Sequence, residues 1–166
     1  MNIFKRIYLK YLKKYNGTEW ARKIGVKIGN ECQLIDVTFS SEPFLVSIGN
    51  HVSATRVHFE THDGGVWVFR DKYPNWDIIG KIKVGNNVFI GHNATILPGV
   101  TIGDNIVIGA CSVVNKDLES NAVYAGIPVR KIRDLESYLE KSRTNVIETK
   151  LMTLDEKTFF LQNNLK

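Results

Sequence analysis

From residue 84 the chain repeats every six positions, with Val84, Ile90, Ile96, Ile102, Ile108 and Val114 aliphatic without a slip. Glycine follows directly at Gly85, Gly91, Gly103 and Gly109, and the position four after each aliphatic is small or apolar: Val88, Ala94, Val100, Ile106, Ser112 and Leu118. A shorter register precedes it, in Ile28-Gly29 with Leu34 and Ile48-Gly49 with Ala54. A period of six fits neither the 3.6 of a helix nor the rhythm of a hairpin, and glycine recurs where a strand interior would avoid it. Short strands turning at each glycine satisfy it. If each hexad forms one side of a triangular coil, three hexads make a turn of eighteen residues, and residues 84, 90 and 96 stack beneath 102, 108 and 114. The pattern therefore predicts a parallel β-helix, in which one coil cannot bury its aliphatic column and stacking supplies the core.

Other segments break the rhythm. Between Gly64 and Gly80, Arg70, Asp71, Lys72, Tyr73, Pro74 and Asn75 fall where corner aliphatics should stand. Ile48 and Val84 are 36 apart, twice eighteen, but Lys72 at a corner would bury an unpaired charge at a cost of several kcal/mol, so residues 63–80 are predicted to leave the coil as an extruded loop. Past Arg133, Asp134 leads into Leu135, Tyr138 and Leu139 at helical spacing, and Thr153 with Glu156 forms a capping-box pair ahead of Phe159, Phe160 and Leu161. Two helices in 134–166, covering an open end of the stack, are expected. At the other end, residues 1–20 read as an amphipathic helix with Ile3, Phe4, Ile7, Tyr8, Tyr11, Leu12 and Tyr15 on one side and lysines on the other. The β-helical body then runs from 21 to 133.

Composition adds constraints rather than a fold. The 166 residues, 43% hydrophobic and 23% charged, suit one globular domain with short extensions. No stretch approaches the roughly 18 apolar residues of a membrane span, and Lys5, Arg6, Lys10, Lys13 and Lys14 interrupt any secretory core, so a cytoplasmic protein is expected. Cys32 and Cys111 stand far apart and suggest neither a disulfide framework nor a thiolate metal site. The net charge of +5 is uneven: residues 1–27 hold eight Lys and Arg against Glu19, leaving fourteen basic and sixteen acidic residues elsewhere. That basic head reads either as a helix capping the body with a solvated face or as one making weak contact with an anionic membrane surface. No aromatic-basic motif accompanies it, so nucleic acid is not an expected partner.

The segment 84–133, together with Phe59-Glu60-Thr61-His62-Asp63-Gly64-Gly65, resembles the hexapeptide-repeat acyltransferases, in their sugar O-acetyltransferase branch, over residues 24–133. The resemblance implies a left-handed parallel β-helix, an all-β fold apart from the terminal helices, assembled as a homotrimer with active sites between subunits. It also implies acetyl-CoA as co-substrate, a sugar or saccharide acceptor, no metal, and a place in capsule, O-antigen or exopolysaccharide synthesis.

His62 interrupts the repeat just before the loop, and the resemblance makes it the general base. A sugar hydroxyl is too weakly acidic to attack a thioester at neutral pH unless a group with a suitable pKa takes its proton, and imidazole is such a group. An acidic partner should orient the ring; Glu42, twenty residues earlier and about one coil away, is the first candidate, with Glu60 and Asp63 competing. For the donor, the resemblance places backbone contacts with pantetheine at Gly109-Ala110 and, near the thiol end, at Gly91-His92. Lys116 matches a family lysine, and Pro128, Arg130 and Arg133, with Lys131, match a basic tail suited to the phosphates of CoA. Phe89 and Asn115 depart from the commoner tryptophan and threonine. In the loop, Trp67, Phe69, Arg70 and Tyr73 beside Asp63 suit a saccharide, since aromatic faces stack on sugar C–H faces, and equally suit a loop pinned onto a neighbouring subunit.

Three further readings stand beside this one. An amino-sugar acceptor would give N-acetylation. A γ-class carbonic-anhydrase-like hydro-lyase would use His58, His62 and His92 as zinc ligands, although the three residues between His58 and His62 differ from that class's spacing of four. A non-catalytic scaffold would leave His62 dispensable.

Overall fold

The computed structural model describes residues 3–164. Two helices, α1 (Ile3–Tyr15) and α2 (Gly17–Lys23), precede the coils. The expected single helix over 1–20 is thus broken at Asn16, whose side chain accepts from the Glu19 N–H at 3.0 Å and starts α2. Its first two residues lie outside the described part.

Each coil then contributes one short strand to each of three faces. Coil one holds β1 (Lys27–Ile28), β2 (Gln33–Ile35) and β3 (Thr38–Phe39); coil two holds β4 (Val46–Ile48), β5 (Val52–Thr55) and β6 (His58–Phe59). The chain then leaves the stack as an antiparallel pair, β7 (His62–Asp63) with β8 (Ile78–Ile79), as expected for an extruded loop. Coil three returns with β9 (Ile82–Val84), β10 (Val88–Ile90) and β11 (Thr95–Ile96), and coil four with β12 (Thr101–Ile102), β13 (Ile106–Ile108) and β14 (Val113–Val114). A partial fifth coil supplies β15 (Ala122–Ala125), against which β16 (Arg130–Asp134) folds back antiparallel. All other ladders are parallel: β1-β4-β9-β12 on face A, β2-β5-β10-β13-β15 on face B, and β3-β6-β11-β14 on face C.

The register is that of the hexads, with Val84 beside Ile102, Ile90 beside Ile108 and Ile96 beside Val114. Ile48 pairs with Val84 across the loop, whereas Ile28 pairs with Ile48 and Phe39 with Phe59, so coil one is two residues longer. The aliphatic of every hexad points inward and is buried, while its strand neighbours Phe89 and Val107 face out. The glycines after the aliphatics are needed because coils lie so close: a Cβ on Gly49 would sit 2.5 Å from the Gly85 carbonyl oxygen, and one on Gly85 2.6 Å from that of Gly103. Corners turn through left-handed residues, among them Asn87, Asn105 and Asn121, whose amides form a ladder at 2.9 Å per step.

Helices close the ends unequally. α2 seals the first coil, with Thr18 Oγ1 accepting from the Leu34 N–H and Trp20 packing at 5.8 Å on Phe39, itself stacked on Phe59. At the far end α3 (Leu135–Arg143) packs on β15 and β16. α4 (Leu154–Asn164) starts at the expected capping box, the Thr153 N–H donating to Glu156 at 2.8 Å and the Glu156 N–H to Thr153 at 3.3 Å, but makes no comparable contact with the coils. Two expectations are thus corrected: α4 does not cover the stack, because its apolar residues Leu154 and Phe159 face solvent, and among the described residues four helices of 13, 7, 9 and 11 residues make the chain more than an all-β fold.

Candidate active site

The corner where face C turns to face A carries the titratable cluster. In coil one this corner holds Ser40 and Glu42, in coil two Glu60, Thr61 and His62, and in coil four Lys116. The two extra residues of coil one bring Glu42 opposite His62, and the His62 Nδ1 lies 3.1 Å from a Glu42 carboxylate oxygen. That oxygen also accepts from the Thr61 hydroxyl at 2.7 Å, and Thr61, fully buried, shares a 2.6 Å hydrogen bond with Ser40. An ionised carboxylate only accepts, so Nδ1 carries the hydrogen and Nε2 presents its lone pair. Of the three acids weighed from sequence, Glu42 alone holds the ring this way. Glu60 stands 3.7 Å from Nδ1, and Asp63 is occupied with the Gly65 N–H at 2.8 Å, starting the 3-10 turn Gly64–Phe69.

The electrostatics follow. The hydrogen bond from Thr61, and after it that from His62, holds the Glu42 carboxyl below the ordinary carboxylate range. The hydrogen bond to Glu42 pushes the His62 imidazole above the ordinary histidine value, partial burial opposes it, and the charges of Glu42, Glu60 and Asp77 add to the rise. The sequence assigned Thr61 no role and offered His58 only as an alternative zinc ligand; in the structure Thr61 bonds Glu42, and His58 bonds Thr38 at 2.8 Å through Nδ1 and Glu60 at 2.9 Å through Nε2. Only contact between coils reveals that chain of groups. Both ring nitrogens of His58 are thereby engaged, and among the described residues no three His, Cys, Asp or Glu are grouped to hold a metal ion.

The donor candidates occupy a different corner, where face B turns to face C. Gly91-His92 in coil three and Gly109-Ala110 in coil four stack there. A Cβ on Gly91 would meet the Ala110 nitrogen, which explains the glycine. The His92 and Ala110 N–H groups have no backbone partner among the described residues. Beyond them Pro128 leads into Arg130 and Arg133 on β16; Lys131 is paired with Asp134 at 2.6 Å, which pushes its ammonium pKa up. Arg133 lines a groove of about 480 Å³ with Tyr138 and Lys141 of α3, a cation the sequence did not single out. Face C separates this corner from His62 of the same chain, and six extended residues span roughly 20 Å.

The loop divides its candidates. Arg70 donates to the Pro74 and Trp76 carbonyls at 2.8 and 3.0 Å, and Tyr73 stacks on Trp76 with centroids 3.6 Å apart, so both hold the loop's own shape. Trp67 and Phe69 remain exposed, at 72% and 54%.

A stacked-hexad β-helix with a histidine–carboxylate pair at one corner defines a class, and the comparisons agree with it. A model described as bacterial transferase hexapeptide (six repeats) matches residues 81–116. The chain belongs to the hexapeptide-repeat transferase family and is an acyltransferase. It is 49% identical to Protein CapG of Staphylococcus aureus over 98% of its own length and 96% of that protein's. It is also 59% identical to the galactoside O-acetyltransferase of Escherichia coli, over 32% of this chain and 27% of that one. Among solved structures, the hexapeptide-repeat acetyltransferase of Vibrio cholerae complexed with acetyl-coenzyme A superposes with a TM-score of 0.63 at 25% identity, over 77% of this chain and 84% of that chain. Such neighbours have the left-handed β-helix. No described helix is long and apolar enough to cross a membrane.

Proposed function

We propose that the protein transfers the acetyl group of acetyl-CoA to a hydroxyl of a sugar, in the building of a surface polysaccharide. The observation that carries this is the His62–Glu42 hydrogen bond, which fixes the imidazole in the tautomer a general base requires and leaves Nε2 open at the foot of the loop. Nε2 takes the hydroxyl proton as the oxygen attacks the thioester carbonyl; the C–S bond then breaks, and the imidazolium returns the proton to the leaving thiolate. No covalent enzyme intermediate is needed. The sugar as acceptor is supported by the likeness to a galactoside O-acetyltransferase, and acetyl-CoA by the Vibrio complex together with the unengaged His92 and Ala110 N–H groups and the cations Arg130, Arg133 and Lys141.

The placement of the two corners supports a homotrimer with shared sites. With the thiol end of the donor at His92, the acetyl group lies a full face away from His62 of the same chain, and a neighbouring subunit's His62 is the one that can meet it. Exposed Trp67 and Phe69 then face either the acceptor or that neighbour.

The test is acetyl-CoA-dependent release of CoA across nucleotide sugars, free monosaccharides, amino sugars and polysaccharide repeat units, with His62→Ala in parallel. Acceptor-dependent release that falls about 10²- to 10⁴-fold in the variant supports the reading. Release that is undiminished in His62→Ala, or a protein that binds no acetyl-CoA, overturns it.

A further inference from the structure

The amino-terminal helix presents a surface that the transfer chemistry leaves unexplained. It meets the body through Leu9, Leu12 and Lys13, whose ammonium lies 5.0 Å from the Trp20 ring centroid, and among these Leu12 is buried. Ile7, Tyr11 and Tyr15 recur at four-residue spacing, with Tyr8 beside them, on the side away from those contacts. They are 60%, 59%, 64% and 50% exposed. The outward stripe is therefore the richer of the helix's two apolar sides. Lys14 borders it beside Ile7, Lys10 and Arg6 follow further round toward the groove with Leu9 and Trp20, and α1 contains no acidic residue.

We propose that α1 docks the protein onto the surface of an anionic lipid bilayer, its tyrosine and isoleucine side chains entering the headgroup boundary and its lysines meeting the lipid phosphates. Charge chooses between this occupant and a second copy of the chain. Residues 1–27 carry eight cations and one acid, and the rest of the chain has only two more acids than bases, so another copy offers little to neutralise the helix. Apposed α1 helices repel each other. An anionic bilayer offers a continuous negative plane with an apolar layer just beneath, and an amphipathic helix with a basic polar face binds by both together. Tyrosine suits that boundary, with an apolar ring and a polar tip. In the proposed trimer, cyclic symmetry sets all three copies of α1 at one height along the axis, so three contacts on one plane would reinforce each other.

The experiment is co-sedimentation of the full-length protein with vesicles of phosphatidylcholine alone or with phosphatidylglycerol added, at low and high salt. The wild type should bind the anionic vesicles on the order of tenfold more tightly than the neutral ones, and lose that advantage at high salt as the Debye length shortens. The pair Ile7→Ser with Tyr11→Ser should weaken binding by a further factor of about ten, and Lys10→Glu with Lys14→Glu should abolish the preference for anionic lipid. Both variants should keep the wild-type assembly mass and the wild-type affinity for acetyl-CoA, so failure of the acetyltransferase reading leaves this one standing. Absence of vesicle binding by the wild type overturns it. So does binding unchanged in Ile7→Ser with Tyr11→Ser, which would reduce the effect to net charge, and so does a drop in assembly mass in that variant, which would make the stripe a contact between subunits.

Discussion

Replacing Glu42 by glutamine tests the site more sharply than deleting the proposed base, His62, because it removes one charge and leaves an oxygen that can still accept from Thr61 and His62. Glu42 acts on His62 in two ways: its hydrogen bond at 3.1 Å fixes the ring and is the leading cause of the raised imidazole pKa, and its charge adds to that rise. A base must be neutral to act, so wild-type kcat/KM should rise as pH climbs through that raised value. Without the carboxylate the imidazolium is less favoured, and the rise should move to lower pH. On the plateau, the imidazolium that forms in the transition state has lost its nearest counter-charge. Glu60 at 3.7 Å remains to compensate in part, so the rate should fall roughly ten- to a hundredfold, less than in His62→Ala. The assay is CoA release against pH with saturating acceptor, following kcat/KM for acetyl-CoA. An acid limb that stays in place, or moves upward, would refute the account of the His62–Glu42 pair. The pair's stabilising effect has a window: it should fade as pH falls through the depressed Glu42 pKa and again as pH rises through the raised His62 pKa.

Two further outcomes follow from the coil geometry. If the site joins the C-to-A corner of one subunit to the B-to-C corner of another, His62→Ala and Ala110→Asp chains, each inactive alone, should regain activity when co-expressed, since mixed trimers contain junctions with both corners intact; mixtures as inactive as their parents would place the site within one chain. Ile90→Ala should destabilise the fold by about 2–5 kcal/mol in urea unfolding, because Ile90 is fully buried and its strand is paired on both sides, with Ala54 and Ile108 beside it, so the coils cannot collapse into the space. Phe89→Ala, one residue away but outward, should lose about 1 kcal/mol or less, and equal losses at both positions would contradict the register.

The hexad carried the architecture. An aliphatic every sixth residue with glycine after it leaves few ways to bury the column, so the coil stack, its core residues and the departure of the loop could be read without coordinates. The α4 capping box was equally legible, being a contact between residues three apart. Contacts made between coils were not legible in the same way. Spacing alone left Glu42, Glu60 and Asp63 as rivals, and the choice came from coil one being two residues longer, which sets Thr61 and His62 on the same Glu42 oxygen. The same holds for the Thr38–His58 link between coils one and two, while Arg70 and Tyr73 bond within a loop whose path no repeat specifies. A period in the sequence determines which residues face a common core, because burial is collective and repeats along the chain. Which polar groups meet is decided by distances of a few ångströms between segments twenty or more residues apart, and those are set only when the coils stack.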